Sequence, residues 1–215
     1  MKTLHVSLLV IAAVLAFGCG HTTAVRPVEQ GVVAVEAAVG GPIADVGLVI
    51  PMPLSTVGAR YGIHPRGDIG AHLHLTSLAF GVVGADVGTT WLLLEQNGAI
   101  PAIAANGRLY GFADVQVGQP RAMLEVSPSV SWLLGDRYLT YITGGGLAQF
   151  GGGRPLFSVG AGEEVRFGNL SLQAELRWYQ PDYETTFTVV DWQPLFGRGG
   201  WGAVVGASYR FGGAR

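Results

Sequence analysis

The amino-acid sequence predicts an all-β chain closed into an antiparallel transmembrane barrel of about ten strands. Three observations carry that expectation. Apolar and polar residues alternate with a period of two through most of the chain, the mark of strands with one wet face and one greasy face. Charged residues make up only 13% and hydrophobic residues 49%, whereas an average soluble domain is about 25% charged. Mean hydropathy is +0.37, yet past the N-terminus no apolar run reaches the roughly 18 residues of a helical span.

The stretch "NLSLQAELRWY" (169–179) shows the pattern most clearly. Asn169, Ser171, Gln173, Glu175 and Arg177 share one side; Leu170, Leu172, Ala174, Leu176 and Trp178 share the other. In a soluble protein the leucines would line the core. In a membrane barrel the charges line the lumen and the leucines meet lipid.

The chain opens with Lys2 and the apolar run "LLVIAAVLAF", too short to span comfortably and followed by small residues. This reads as an export signal over residues 1–18. Cys19, the only cysteine, comes directly after Ala16-Phe17-Gly18. The junction resembles the lipobox of bacterial lipoproteins, with Leu15 four residues before the cysteine instead of the usual three. That resemblance implies acylation of Cys19 and a lipid anchor on the periplasmic side; a plain cleaved signal is the alternative. Residues 19–31 then form a lipid-anchored polar linker, 32–211 the barrel and 212–215 a short tail.

Strands are expected at 32–39, 55–63, 68–76, 82–94, 101–113, 122–134, 137–149, 156–167, 169–179 and 201–211. Most have about the 9–11 residues that a tilted spanning strand needs. The turns at 64–68, 95–99, 135–137 and 168–169 are tight. The intervening connections at 40–54, 76–81, 114–121, 150–155 and 180–200 are mostly longer. Outer-membrane barrels have short periplasmic turns and longer outer loops, and an even strand count returns the C-terminus to the side where the first strand starts. Eight strands is the rival count.

With these strand directions, Tyr61, Trp91, Trp132, Phe167, Tyr209 and Phe211 fall at the short-turn end. Phe157, Trp178 and Trp201 fall at the other end. Strand middles on the same apolar face are Val, Leu and Ala. Two aromatic rings flanking an aliphatic band suit a membrane with two interfaces; a soluble core places its large aromatics where burial is deepest. A soluble lipocalin-like barrel around an apolar cavity is the architectural alternative.

The C-terminal "GASYRF" (206–211), with Gly206, Tyr209 and Phe211, resembles the β-signal by which outer-membrane proteins are recognised for insertion. The stretch "GAGEEVRFGNLSLQAELRWY" (160–179) resembles the penultimate hairpin of small bacterial outer-membrane barrels of the OmpA, OmpX and OmpW kind. "GARYGIHPRGDIGAHL" (58–73) resembles a strand-turn-strand repeat of bacterial barrel proteins. The resemblance implies an outer-membrane location, with outer-membrane lipids and the barrel-insertion machinery as partners. On activity it is nearly silent.

Strand parity sends Glu36, Asp86, Glu125, Glu164 and Glu175 inward, together with Arg60, Arg108, Arg166, Arg177 and Arg210. His72, His74, Asn106 and Gln173 share that face. The signs balance, as they must in a narrow lumen where a lone charge costs several kcal/mol unless paired. Arginine's fork meets two carboxylate oxygens at once. Barrels of this size are largely filled, so a lumen plugged by ion pairs is expected before an open channel.

His72 and His74, with Asp86 on the neighbouring strand, are the candidates for a metal pair or for a base with its orienting acid. No third ligand is identifiable, and a polar lumen lining is the simpler reading. Ser127, Ser129 and Ser131 also line the lumen. Asp182, Glu184 and Asp191, with Tyr183 and Trp192, are candidates for sugar or cation contact in loop 180–200, against the simpler reading of a solvated loop. The "GGG" runs at 144–146 and 151–153 lack the helix and lysine of a phosphate loop. Net charge is −2 with no basic stripe for nucleic acid. No cofactor, metal or catalytic residue is predicted. The expected role is structural or surface-interacting, with outside contacts through loop 180–200; a narrow pore and an outer-membrane hydrolase are the alternatives.

Overall fold

A computed structural model describes residues 20–45, 49–51, 54–115, 120–182 and 191–212. The export signal, Cys19, Tyr183, Glu184 and the last residues of the tail lie outside the described residues. The strands are β1 (Val33–Asp45), β2 (Val49–Pro51), β3 (Leu54–His64), β4 (Gly67–His74), β5 (Val82–Leu94), β6 (Ala102–Asp114), β7 (Pro120–Leu134), β8 (Tyr138–Gln149), β9 (Leu156–Phe167), β10 (Leu170–Tyr179), β11 (Asp191–Trp192) and β12 (Gly200–Phe211). One short helix, α1 (Leu75–Ala79), follows β4.

Ten of these strands close a barrel in the order β1-β3-β4-β5-β6-β7-β8-β9-β10-β12, every pair antiparallel. The seam is β1 against β12, with Val33 opposite Phe211 and Pro42 opposite Gly202. The short strands β2 and β11 pair with the end of β1. Closure matters because lipid offers backbone N–H and C=O groups no partner, so a spanning sheet must have no free edge.

Tight turns gather at one end of the barrel. At 95–101, Asn97 and Ile100 exchange both main-chain bonds, at 3.0 Å each, and Gly98 supplies the positive φ of 56° that a two-residue hairpin turn demands. The connections after β1, β4, β6, β8 and β10 gather at the long-loop end.

The opening question of which face looks inward is answered by exposure. Leu172, Leu176 and Val205 are 47%, 60% and 51% exposed, while Glu175 and Arg177 are 2% and 8% exposed. The barrel is therefore inside out, with an apolar exterior for lipid and charge at its centre. Tyr61, Trp91, Phe167, Tyr209 and Phe211 are exposed at the short-turn end, as is Phe157 at the long-loop end. Trp132, Trp178 and Trp201 are half-buried. Trp132 Nε1 donates to the Ala99 carbonyl at 3.1 Å and Trp178 Nε1 to the Arg198 carbonyl at 3.0 Å. Each indole thus ties its polar edge to rim backbone while its rings face outward.

Three expectations need correction. The strand expected over 68–76 ends at His74, where the chain turns into α1. Thr76 and Ser77 are buried and Leu75 and Leu78 exposed, so this single turn keeps the inside-out rule with helical spacing. Gly81, at φ 72°, ends it. The first strand runs to Asp45 instead of 39, because β12, β2 and β11 supply ladder partners along its whole length. The largest change concerns the linker read over 19–31: residues 20–28 lie inside the barrel, and Glu29, Gln30 and Gly31 are exposed at its short-turn end. The polarity of 20–28 suits a polar lumen as well as it suits water, so composition did not separate the two.

Candidate functional site

The lumen is the place where functional side chains converge, and strand register sets who meets whom. Glu36 on β1, Gly58 on β3, His72 on β4 and Asp86 on β5 stand side by side at one level. Gly58 is what lets this row connect. A Cβ there would meet the His72 Cδ2 at 2.3 Å, so the bare backbone leaves room for the imidazole to lie across β3 towards Glu36. His72 Nε2 is 3.3 Å from Glu36 and its Nδ1 is 3.0 Å from Asp86. Asp86 also takes His74 Nε2 and Arg108 Nη1, each at 2.8 Å. Arg60 joins the row from β3, 3.2 Å from Glu36 and in contact with the Asp68 carboxylate.

A second group lies across β6, β7, β8 and β10. The Tyr110 hydroxyl donates to Glu125. Tyr141 donates to Glu175 Oε2 at 2.9 Å, and Arg177 Nε donates to Glu175 Oε1 at 2.8 Å. Tyr141 has no exposed surface and crosses the lumen in front of Gly162, where a Cβ would meet its hydroxyl at 2.4 Å. A third group joins Glu164 to Arg166 at 2.9 Å and to Arg210 at 3.2 Å.

The acids, arginines and histidines assigned to the lumen by parity therefore fall into three groups. Sequence parity missed Asp68, which was read as part of the "HPRGD" turn; β4 starts at Gly67, so Asp68 shares the inward face with His72 and His74. Tyr110 and Tyr141 are buried in the lumen, although the sequence pattern places large aromatics on the outward face.

Residues 20–32 thread this lumen from the long-loop end to the short-turn end. The Gly20 carbonyl accepts from Thr56 Oγ1 at 3.0 Å, near the start of β3. At the other end Gly31 N donates to the Gly62 carbonyl at 2.9 Å, and its φ of 80° turns the chain into β1. Pro27 favours the extended form in between by fixing its own φ and restricting Arg26.

The wall holds this segment by both its main chain and its side chains. Thr23 N donates to Glu175 Oε2 at 3.0 Å and the Thr23 carbonyl accepts from Gln173 at 2.9 Å. The Val25 carbonyl accepts from Ser129 at 3.2 Å, and the Arg26 carbonyl from Arg60 at 2.8 Å. Val28 N donates to Asp68 at 2.7 Å. Its side chains are held as well: the Tyr110 hydroxyl lies 3.2 Å from His21 Nε2, and Arg177 Nη2 donates to Thr23 Oγ1 at 3.2 Å. His21 Nε2 lies 3.5 Å from Glu125, and Arg26 reaches Ser131 at 3.0 Å and Gln96 at 2.7 Å.

Two spaces remain. A polar cavity of about 210 Å³ lies between the segment and the β9, β10 and β12 wall, bordered by Arg26, Glu164, Arg166, Gln173 and Arg210. A vestibule of about 280 Å³ opens near Gly20, lined by Leu54, Phe112, Met123, Leu147, Leu156 and Phe157 over a floor of His74, Tyr110 and Glu125. Among the described residues no group of three metal-ligating side chains occurs. His72 and His74 spend their bonded nitrogens on Asp86 and Glu36. Ser129 and Ser131 are engaged by the segment. In the 180–200 loop, Asp182 pairs with Arg154 at 2.6 Å.

No protein-family model matches the chain, and no curated protein matches it. Solved structures share the barrel architecture at low identity. An outer membrane channel from Pseudomonas putida F1 is 11% identical with a TM-score of 0.48, the match covering 90% of this chain and 100% of that one. The translocator domain of the autotransporter NalP from Neisseria meningitidis is 14% identical with a TM-score of 0.42, covering 98% of this chain and 95% of that one. A de novo designed transmembrane β-barrel is 15% identical with a TM-score of 0.36, covering 86% and 99%. At these TM-scores the likeness carries no argument about activity.

Proposed function

We propose that this chain works as a sealed, non-enzymatic outer-membrane barrel, a structural and surface-interacting body whose lumen is closed by its own residues 20–32 and by paired charges. The observation that carries this is the threaded segment itself, bonded to the wall from Gly20 to Val28. An ion crossing the lumen would have to displace it or pass through fixed carboxylate–guanidinium pairs. The commitment of His72, His74, Ser129 and Ser131 to structural partners supports the non-enzymatic part. Short turns face the periplasm and long loops the outside in such barrels, which gives the 180–200 connection the outer contact surface. Acylation of Cys19 belongs to the same proposal. On this orientation Gly20 lies at the outer end, and an anchor on Cys19 would sit there instead of on the periplasmic side the resemblance implies.

Conductance tests it. The purified full chain, folded in detergent and added to planar bilayers in concentrated KCl, is expected to give no steps. Uniform, reproducible steps from the intact chain would instead make it a narrow pore. Cell fractionation with heat-modifiable gel mobility checks the location.

A further inference from the structure

We infer that the lumen is a binding site for an extended polypeptide, and that residues 20–32 are its resident, exchangeable ligand. This builds on the sealed barrel proposed above and adds what seals it and how the seal comes out.

The barrel is complete without the segment. β1 pairs with both β3 and β12, so the ring of ladders closes through strands alone. Only Gln30 to Val32 touch that ladder, at Gly62. Above that point the wall presents donors and acceptors to peptide groups: Asp68 and Glu175 accept from the N–H of Val28 and Thr23. Gln173, Ser129, Arg60 and Thr56 donate to four carbonyls.

A surface that bonds the peptide groups of Gly20, Thr23, Val25, Arg26 and Val28 recognises an extended main chain, as strand-addition sites do, while contacts to the His21, Thr23 and Arg26 side chains add selectivity. Apolar burial of the segment rests on Val25, Val28 and Val32. The polar cavity beside the segment leaves room for other side chains, and Ser131 with Gln96 gives one defined place for a basic residue, filled here by Arg26. The ligand class is therefore an extended, polar peptide with a basic residue at that place.

The test uses the full chain carrying a protease-cleavage sequence between Gln30 and Gly31, which are exposed at the short-turn end. After folding and nicking, the fragment is expected to co-elute with the barrel and bilayers to stay silent. Urea too weak to abolish heat-modifiable mobility should release the fragment and open conductance. A synthetic peptide of residues 20–30 should then close it again.

Methylating the Thr23 and Val28 nitrogens of that peptide removes the two donors, and Arg26→Ala removes the basic contact. Each change is expected to weaken closure about tenfold or more, which corresponds to about 1.4 kcal/mol. Exchanging Thr22 and Ala24 should leave closure within about twofold, as expected where recognition rests on main-chain bonds. A fragment that never leaves a folded barrel, a peptide that fails to reclose an opened one, or a doubly methylated peptide that closes as well as the parent would each overturn the inference. Conductance of the intact chain would sink the sealed barrel itself; silence of the intact chain with failed reclosure sinks the exchangeable ligand alone. In the uncut protein, the Thr23 and Val28 amides should exchange hydrogen much faster than those of β10. Equal rates would show that segment and barrel open only together.

Discussion

The two halves of the lumen use their polar groups differently. On β1, β3, β4, β5 and β6 the wall mostly bonds to itself: Glu36, His72, Asp86, His74 and Arg108 form a continuous row across neighbouring strands. On β7 and β10 the same kinds of residue turn towards the threaded segment, with Ser129, Gln173 and Glu175 bonded to its peptide groups. The first half is a brace that keeps the barrel round. The second is closer to a receptor. Thr56, Arg60 and Asp68 belong to both, since they lie in the first half and bond the segment at Gly20, Arg26 and Val28. A balanced lumen charge therefore has two uses, and only contacts tell them apart.

The sharpest way to break this contrast is Asp86→Ala. It leaves two imidazoles and a guanidinium without their shared carboxylate, and removing one partner of a buried ionic cluster costs about 3–5 kcal/mol. The expected outcome is a large fall in the urea midpoint of the folded, heat-modifiable form, with conductance still absent. A change no larger than that of a surface substitution would erase the distinction between brace and receptor.

Glu175→Gln is the counterpart in the other half. It keeps the shape but weakens the hold on the Thr23 N–H and leaves Arg177 underpaired, worth about 1–3 kcal/mol. Here the seal should suffer more than the barrel: intermittent conductance with a modest shift in midpoint. If stability falls as far as in Asp86→Ala while bilayers stay silent, Glu175 is brace as well. Ser129→Ala is the mildest probe. It removes one donor to the Val25 carbonyl, about 1 kcal/mol, and should show only as faster amide exchange within 20–30.

Much of the barrel was legible because strand parity is local. Leu172 and Glu175 fall on opposite faces whichever strand they pair with, and the apolar exterior follows from that alternation. The tight turns were legible for the same reason: Gly98 and Gly168 announce the reversals, and they sit at φ 56° and 63°. What escaped was whatever depends on a partner far along the chain. Thr23 meets Glu175 across 152 residues, and nothing local in "GHTTAVRPVEQG" distinguishes a tether in water from a strand in a polar tube. Asp68 escaped because a turn motif claimed it, although its parity with His72 placed it in the lumen.

By itself the sequence determined an inside-out barrel of about ten strands with arginines and carboxylates inside, because face and turn are set by neighbours two to four residues apart. Only the tertiary structure decided that the chain before β1 doubles back through the centre and which charges brace and which hold it. Those bonds form across the lumen, between residues that become neighbours only once the barrel has closed.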